Sequence, residues 1–522
     1  MEEFRRVYPI GIQSFENIRS GNYLYIDKTQ YIAQLLQSQS KYVFLSRPRR
    51  FGKSLLVSTL KCYFEGKKEL FEGLAIADYE KEWTKYPILH FDMSGATYET
   101  RESLMSAINY KLLEYEEEYG KGEGEVSAGQ RFNGLIRRVY NKVGRQVVVL
   151  IDEYDYPMLE VINQPEKTED FRNLMQDFYA PLKPCGEYLK FVFLTGITKF
   201  SQLSIFSKLN NIENISIDDC YAAICGITEE EIHTQLEYDV NVLAQDNGIT
   251  LDDMYQLLKL NYDGYHFSVS SPDIYNPYSL LTAFKKRRID YYWFGSGTPI
   301  PLIKMLNQFN VDPTSIDGNM VFAEQFNAPT ESMTSVIPLL YQSGYLTISG
   351  YDPDSGLYTL DIPNQEVRIG LMRCLLANYI AAPIEDSPAL AIIALAGVDL
   401  RKNNVDGALQ RLQTYLSTIP YASNIKTEGH YQHMLYVMFD LMGAHPDIEK
   451  NTSSGRIDFT FRSKTTIYII ELKIDDTAQA ALNQINDKEF ANRYTLDGLP
   501  IVKIGISFNT TKRTIEEWVV ER

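Results

Sequence analysis

The sequence predicts an α/β chain, with a parallel sheet in its first half and a smaller α/β domain at its C-terminal end. Three observations carry that expectation. An apolar run at Lys41–Ser46 (KYVFLS) leads through a basic loop into a segment of helical period, Leu55–Phe64. A second run, Gln146–Ile151 (QVVVLI), is apolar throughout, as in a strand covered on both faces. Near the end, Gly455–Phe461 (GRIDFTF) and Thr466–Ile474 (TIYIIELKI) read as two strands joined by the turn Arg462–Thr465.

The loop after the first run is Arg47–Ser54 (RPRRFGKS). Strand, loop and helix form the setting of a P-loop, in which backbone N–H groups at a helix start face phosphates. The expected nucleotide seat is Arg47, Pro48, Arg49, Arg50, Phe51, Gly52, Lys53, Ser54 and Leu55, and the expected ligands are ATP and Mg²⁺. Lys53 would reach the β- and γ-phosphates, and Ser54 would ligate Mg²⁺ through its hydroxyl. Arg47 occupies the place where the usual pattern opens with glycine. Pro48 fixes one φ angle there, and Arg47, Arg49 and Arg50 would add positive charge beside the phosphates.

The buried run ends in Asp152-Glu153. An acid at the carboxyl end of such a strand lies in the crevice where α/β sheets bind ligands. Asp152 would hold the Mg²⁺ shell, and Glu153 would orient and deprotonate the attacking water. Asp155, in the same turn, could share either role. Pro87–Asp92 and Lys190–Thr195 complete the sheet. A strand inserted between the P-loop strand and the acidic strand marks the ATPase division with an added catalytic glutamate. Thr195 or Thr198 would then act as a polar sensor, while Lys199 is either a charge stabiliser or a solvated loop lysine.

Tyr25–Thr29 (YIDKT), Leu45–Ser54, Leu150–Asp155 (LIDEYD) and Thr195–Phe200 (TGITKF) together resemble a bacterial, Bacteroidota-type AAA-ATPase-like family. The likeness continues through Tyr262–Phe267 (YDGYHF) and Tyr275–Ser279 (YNPYS) and spans roughly residues 5 to 290. It implies that arginine is the family's usual residue at position 47. It also implies a class in which homo-oligomers often share an arginine between subunits, although no residue identifies itself as that finger.

Residues 227–298 show helical period with many acids, as in Glu229–Thr234 (EEEIHT), and read as a helical lid. Residues 299–380 mix helices with a hairpin, Gly344–Gly350 and Leu357–Ile362, around the turn Asp352–Gly356 (DPDSG). Helices before a two-stranded wing predict a winged-helix-like module, and its few basic residues favour a packing role over DNA binding. Residues 381–419 form a helical linker. The ATPase-like domain is thus expected at 1–226 and the last domain at 420–522. The length of 522 residues agrees with several domains.

In the C-terminal strand pair, alternation puts Glu471 and Lys473 on one face. A hairpin centred between Lys464 and Thr465 sets Asp458 opposite Glu471, about 5 Å away. Two acids that close repel, and a divalent cation relieves them. Asp458 and Glu471 would hold Mg²⁺ for phosphodiester hydrolysis, and Lys473 would position a water or stabilise charge. Gln484, on the next helix, could orient the lysine or the substrate. Glu428, at the start of the helix Tyr431–Met442, could complete the shell.

This constellation resembles the PD-(D/E)XK nuclease superfamily over about residues 420–522. Asp458, Glu471, Lys473 and Gln484 match its motif, with twelve residues between the two acids and Ile457 in place of the eponymous proline. The resemblance implies a restriction-endonuclease-like fold and contact with DNA or RNA. The function expected is an ATP-hydrolysing switch controlling a Mg²⁺-dependent nuclease, in defence or mobile-element control. The alternative is an ATP-dependent scaffold or signalling ATPase whose nuclease-like domain binds a partner without cleaving.

Charge limits these options. The chain carries −17, which disfavours coating nucleic acid by charge alone. Residues 424–522 hold 12 basic and 14 acidic residues, so the C-terminal end is nearly neutral and permits local contact. Cys62, Cys185, Cys220, Cys225 and Cys374 lack zinc-ligand spacing, and a reducing compartment suits them. The start, MEEFRR, lacks the apolar stretch of a signal peptide, and the run Ala389–Ala396 is too short to span a bilayer. The expected location is the cytoplasm, away from membranes.

Overall fold

The structure is a computed structural model. It describes residues 6–162, 164–198, 212–294, 305–306, 309, 311–329, 333–380, 389–417, 428–444, 446, 458–463, 465–488 and 490–522, without the side chains of 378, 380, 428, 493, 495 and 496. The expected linker start at 381–388, Lys199, Ile457 and Lys464 lie outside the described residues. The chain divides into two compact units, Met1–Met305 with Gly318–Val367, and Leu306–Asp317 with Arg368–Arg522.

The first unit is built on a parallel sheet. Its strands are β1 (Tyr42–Ser46), β2 (Ile88–Asp92), β3 (Val147–Asp152), β4 (Leu189–Gly196) and β5 (Glu213–Asn214), in the order β2-β3-β4-β1-β5. Every residue of β1 and β3 is buried, which explains their unbroken apolar character. The inserted strand is β4, which pairs with β1 on one side and β3 on the other. The short edge strand β5 escaped the sequence reading, because two residues carry no period.

Helix α1 (Lys53–Phe64) follows β1, with Gly52 at φ 95° as its N-cap. Helices α2 (Ala128–Val143) and α3 (Pro165–Tyr179) cover the sheet. Ser127 and Gln130 cap α2 reciprocally, and Gly144 ends it at φ 71°. Phe132 of α2 and Phe178 of α3 meet Phe91 of β2 at centroid distances of 5.1 and 5.3 Å, and each other at 5.1 Å. These pairs add about 0.5–1.5 kcal/mol each beyond area burial.

The expected lid contains the helices Glu229–Gln235, Glu237–Asn247, Leu251–Tyr262 and Pro277–Lys286 around Leu236, Val240, Leu243, Leu258 and Leu280. It also holds a two-stranded sheet of β6 (Ile227–Thr228) and β7 (Ile274–Tyr275). Next come β8 (Asn319–Val321), the short helices Ala323–Phe326 and Ile337–Gln342, β9 (Thr347–Asp352) and β10 (Leu357–Asp361). Their sheet runs β8-β10-β9, and β9–β10 is the expected hairpin. This module packs on the P-loop. A Cβ at Gly344 would lie 2.6 Å from Pro48 Cβ, so only glycine allows that approach.

The second unit carries a sheet in the order β11-β12-β13-β14, made of Phe459–Arg462, Ile467–Ile474, Ile501–Asn509 and Thr514–Glu521. The central pair β12–β13 is parallel and both outer pairs are antiparallel. Helix α4 (Val405–Leu416), in the stretch expected as a linker, bonds to β14: Gln413 Nε2 donates to the Ile515 carbonyl at 2.8 Å, and Trp518 Nε1 donates to Asp406 at 2.8 Å. Helix α5 (Glu428–Leu441) precedes β11, and α6 (Ala478–Asp487) connects β12 to β13. A Cβ at Gly505 of β13 would fall 2.2 Å from the Ala478 carbonyl oxygen, so glycine lets α6 lie directly on the sheet.

Candidate functional site

The P-loop is shaped by its buried phenylalanine. Arg50 (φ 66°) and Gly52 (φ 95°) both take positive φ, and Phe51 between them is buried. Its ring meets Tyr265 at 4.8 Å and Phe267 at 5.3 Å, and its carbonyl accepts from the Gly226 N–H at 3.2 Å. The motif Tyr262–Phe267, noted only as part of a resemblance, thus supplies the wall behind the loop.

Lys53 opens α1, buried, with its ammonium 3.2 Å from the Pro48 carbonyl and 3.4 Å from Glu153 Oε1. Ser54, the next residue, hydrogen-bonds through its side chain to Asp152 at the end of β3. Burial pushes the Asp152 carboxyl up to about 6, and Glu153 adds to the shift. The Ser54 bond and Lys53 oppose it. Glu153 sits at φ 49° with Oε2 buried and unpaired among the described residues. Thr195, beside Leu45 of β1, is fully buried, and its hydroxyl has no hydrogen-bond partner among the described residues. The structure therefore gathers Lys53, Ser54, Asp152 and Glu153 into one cluster.

Asp155 is placed differently. It is fully buried and accepts the Ile197 N–H at 3.1 Å, the Thr198 N–H at 2.6 Å and the Thr198 hydroxyl at 2.6 Å. A Cβ at Gly196 would lie 2.2 Å from Asp155 Oδ1, which accounts for the glycine after Thr195. Asp155 and Thr198 hold the turn after β4 and spend their polar atoms on each other.

The expectation of a free arginine cluster at the phosphates needs correction. Arg47 points into the protein, 1% exposed, and donates to the carbonyls of Ser46, Ser216 and Tyr221 at 2.9, 2.7 and 2.9 Å. Arg50 stacks on Tyr278 at 3.9 Å and reaches the carbonyls of Tyr292 and Trp293. Only Arg49 is exposed. Arg47 finds its carbonyl partners within the ATPase-like stretch, and Arg50 finds its ring and carbonyl partners in the lid. Leu55 lines an apolar cavity beside α1 with Leu24, Ile26, Pro277 and Leu281.

In the second unit, Phe459 pairs with Ile470 and Arg462 with Ile467. Continued by one residue, that register sets Asp458 opposite Glu471, as the hairpin arithmetic requires. Asp458 Oδ2 accepts the Leu472 N–H at 2.7 Å. Glu471 is 2% exposed and its Oε2 is unpaired among the described residues. Burial pushes its carboxyl up to about 8, Asp458 raises it further, and Lys473 opposes both. Lys473 Nζ lies 3.8 Å from Glu471 Oε1 and donates to Gln484 Oε1 at 2.5 Å. Gln484 Nε2 in turn donates to Glu471 Oε1. The structure brings Asp458, Glu471, Lys473 and Gln484 together.

Gln432 was missed by the sequence reading. Its Nε2 donates to Asp458 Oδ1 at 3.2 Å from α5. The signal was available, since Gln432 falls one helical turn after Glu428, on the same face. Glu428 opens α5, but its side chain lies outside the described residues. Among the described residues no group of three His, Cys, Asp or Glu is placed to hold a metal ion.

Fold and sites together define a P-loop NTPase of α/β type joined to a restriction-endonuclease-like domain. A family model of predicted AAA-ATPases matches residues 9–206, and a model of the PD-(D/E)XK nuclease superfamily matches residues 426–518. An uncharacterized protein in the vnfD 5′ region of Azotobacter chroococcum mcd 1 is 34% identical over 534 residues, covering 99% of both chains. The chain belongs to this family of predicted AAA-ATPases with a PD-(D/E)XK nuclease superfamily domain. The solved structure of the Aeropyrum pernix ORC2 protein (ADPNP-ADP complexes) covers 66% of this chain and 92% of its own at 11% identity and a TM-score of 0.26, too low to carry an argument.

Proposed function

We propose that the chain binds and hydrolyses ATP at the P-loop, and that this switch controls a Mg²⁺-dependent nuclease at Asp458, Glu471 and Lys473. One observation carries the reading: each unit pairs buried carboxylates with a lysine beside an unsatisfied buried oxygen, on Glu153 in one and Glu471 in the other. Such oxygens suit a hard cation, and Mg²⁺ is held by one or two carboxylates with waters. Ser54 and Asp152 would hold it at the P-loop, and Asp458 and Glu471 at the C-terminal sheet. When bound, Mg²⁺ supplies charge neutralisation at phosphate oxygens.

The chain's own groups do the rest. Lys53 and the N-terminal amides of α1 bind phosphate oxygens. Glu153 accepts the proton of the attacking water, and Thr195 offers a hydroxyl at the end of the inserted strand. The apolar cavity at Leu55 takes the nucleobase. In the second unit Gln484 fixes the direction of Lys473, which stabilises charge on a nucleic-acid phosphate.

Among the described residues no helix is long and apolar enough to cross a membrane. The five cysteines are free, in keeping with a cytoplasmic setting. Homo-oligomer formation would supply the missing arginine. The deciding test incubates the full chain with ATP, Mg²⁺ or Mn²⁺ and varied DNA and RNA. Cleavage is expected, and Glu471→Ala should abolish it while ATP turnover continues. If the unmutated chain turns over ATP but cuts nothing, the scaffold reading replaces the nuclease.

A further inference from the structure

Three buried cations act on the fully buried thiol of Cys225: Arg47, Lys53 and Lys28. Two of them have a carboxylate. Lys53 has Glu153 at 3.4 Å, and Lys28 has Glu231 at 2.6 Å. Arg47 has no acid among the described residues. Its partners are the neutral carbonyls of Ser46, Ser216, Tyr221 and Ala222 and the ring of Phe267 at 4.1 Å, while its Nε stays unpaired. Burial draws the guanidinium down to about 10, so it remains charged at neutral pH.

A buried cation without an anion costs several kcal/mol of desolvation that neutral carbonyls offset only in part. The four carbonyls require N–H donors, yet as neutral acceptors they do not themselves balance a full positive charge. The residue is also the first of the loop expected to hold phosphates, directly before Pro48, whose carbonyl contacts Lys53. Inside a protein a charge acts beyond contact distance, because the surrounding dielectric screens it weakly.

We propose that Arg47 is a positioning residue whose missing counter-anion is the triphosphate, so that it sets a preference for ATP over ADP and AMP by charge and without touching them. The inference rests on the ATP-binding reading. A simple tie between backbone segments would affect all three nucleotides alike. A charge acting through the loop grades its effect with the number of phosphates.

The test titrates the full chain calorimetrically with ATP, ADP and AMP. Arg47→Met is expected to weaken ATP about tenfold and ADP about threefold and to leave AMP within about twofold, as one removed charge at an effective dielectric near 20 allows. Arg47→Lys keeps the charge and loses the fork. It should keep the ATP-to-AMP affinity ratio even where its melting temperature falls. Equal weakening of all three in Arg47→Met, or an unchanged ratio, overturns the inference. If Arg47→Met does not fold, Arg47→Lys decides, and a collapsed ratio there overturns it equally. Unmutated protein that binds none of the three instead removes the ATP reading, and that result is visible before any variant is made.

Discussion

At the P-loop the lysine is buried and meets its carboxylate directly. At the C-terminal sheet the lysine is half-buried and lies farther from its carboxylate, at 3.8 Å, with an amide hydrogen-bonded to both. Lys53 is 3% exposed and stands 3.4 Å from Glu153, whereas Lys473 is 29% exposed and Gln484 bridges it to Glu471. The deeply buried partner is the cation in one site and the acid in the other. The first arrangement suits a loop that closes around a small ligand, because the cation is already desolvated. The second leaves its cation at the surface, where a long polymer can reach it. The same pair of residue types thus offers two access geometries.

The sharpest way to break this comparison is to remove each lysine. Lys53→Ala is expected to weaken ATP binding roughly 100- to 1000-fold, measured by titration with a non-hydrolysable analogue. Lys473→Ala should leave that affinity unchanged and depress only cleavage. A shared loss would show that the sites are not separable. Glu153→Gln comes next. It should keep nucleotide affinity within about threefold and lower turnover roughly 100- to 10,000-fold, read as phosphate release. Unchanged turnover would remove Glu153 as the base, and Asp155 is a poor successor because three donors already occupy it.

What the sequence made legible follows from where periodicity is strong. The runs at β1 and β3 are buried at every position, so their character shows without an alignment. The Asp458–Glu471 register was legible because a hairpin turn fixes it. The edge strand β5, the pair β6–β7, and β13 and β14 went unread, the first three because two residues carry no pattern. Direction was the harder failure. Arg47 reads as a phosphate ligand from its position, yet its side chain turns inward, because the carbonyls of Ser216 and Tyr221 come from a segment about 170 residues away. No local rule reports such a contact.

A smaller effect is expected at Gln484. Removing this bridge by Gln484→Ala should cost roughly 10- to 100-fold in cleavage, the usual range for a residue that orients a ligand from behind. ATP turnover serves as the control. If cleavage survives intact, Lys473 does not need the amide, and the C-terminal arrangement is as direct as that of the P-loop.

The smallest effect concerns an acid outside both sites. Glu366 is buried, and its Oε1 accepts the Trp293 N–H at 2.8 Å and the Tyr292 N–H, next to the carbonyls that Arg50 touches. Burial pushes its carboxyl up to about 7, against the opposing backbone bonds. A raised carboxyl binds its proton more tightly in the folded chain than in the unfolded one. Stability therefore falls as pH rises from the usual carboxylate range through 7, and it levels off above that. Glu366→Gln keeps an oxygen for both N–H donors and removes the titration. At pH 5 the variant should melt within a degree or so of the unmutated chain. At pH 8 it should be the more stable by about 2 kcal/mol. Equal melting curves at both values would mean that Glu366 stays ionised throughout, its charge held by the two N–H donors and the nearby charge of Arg50.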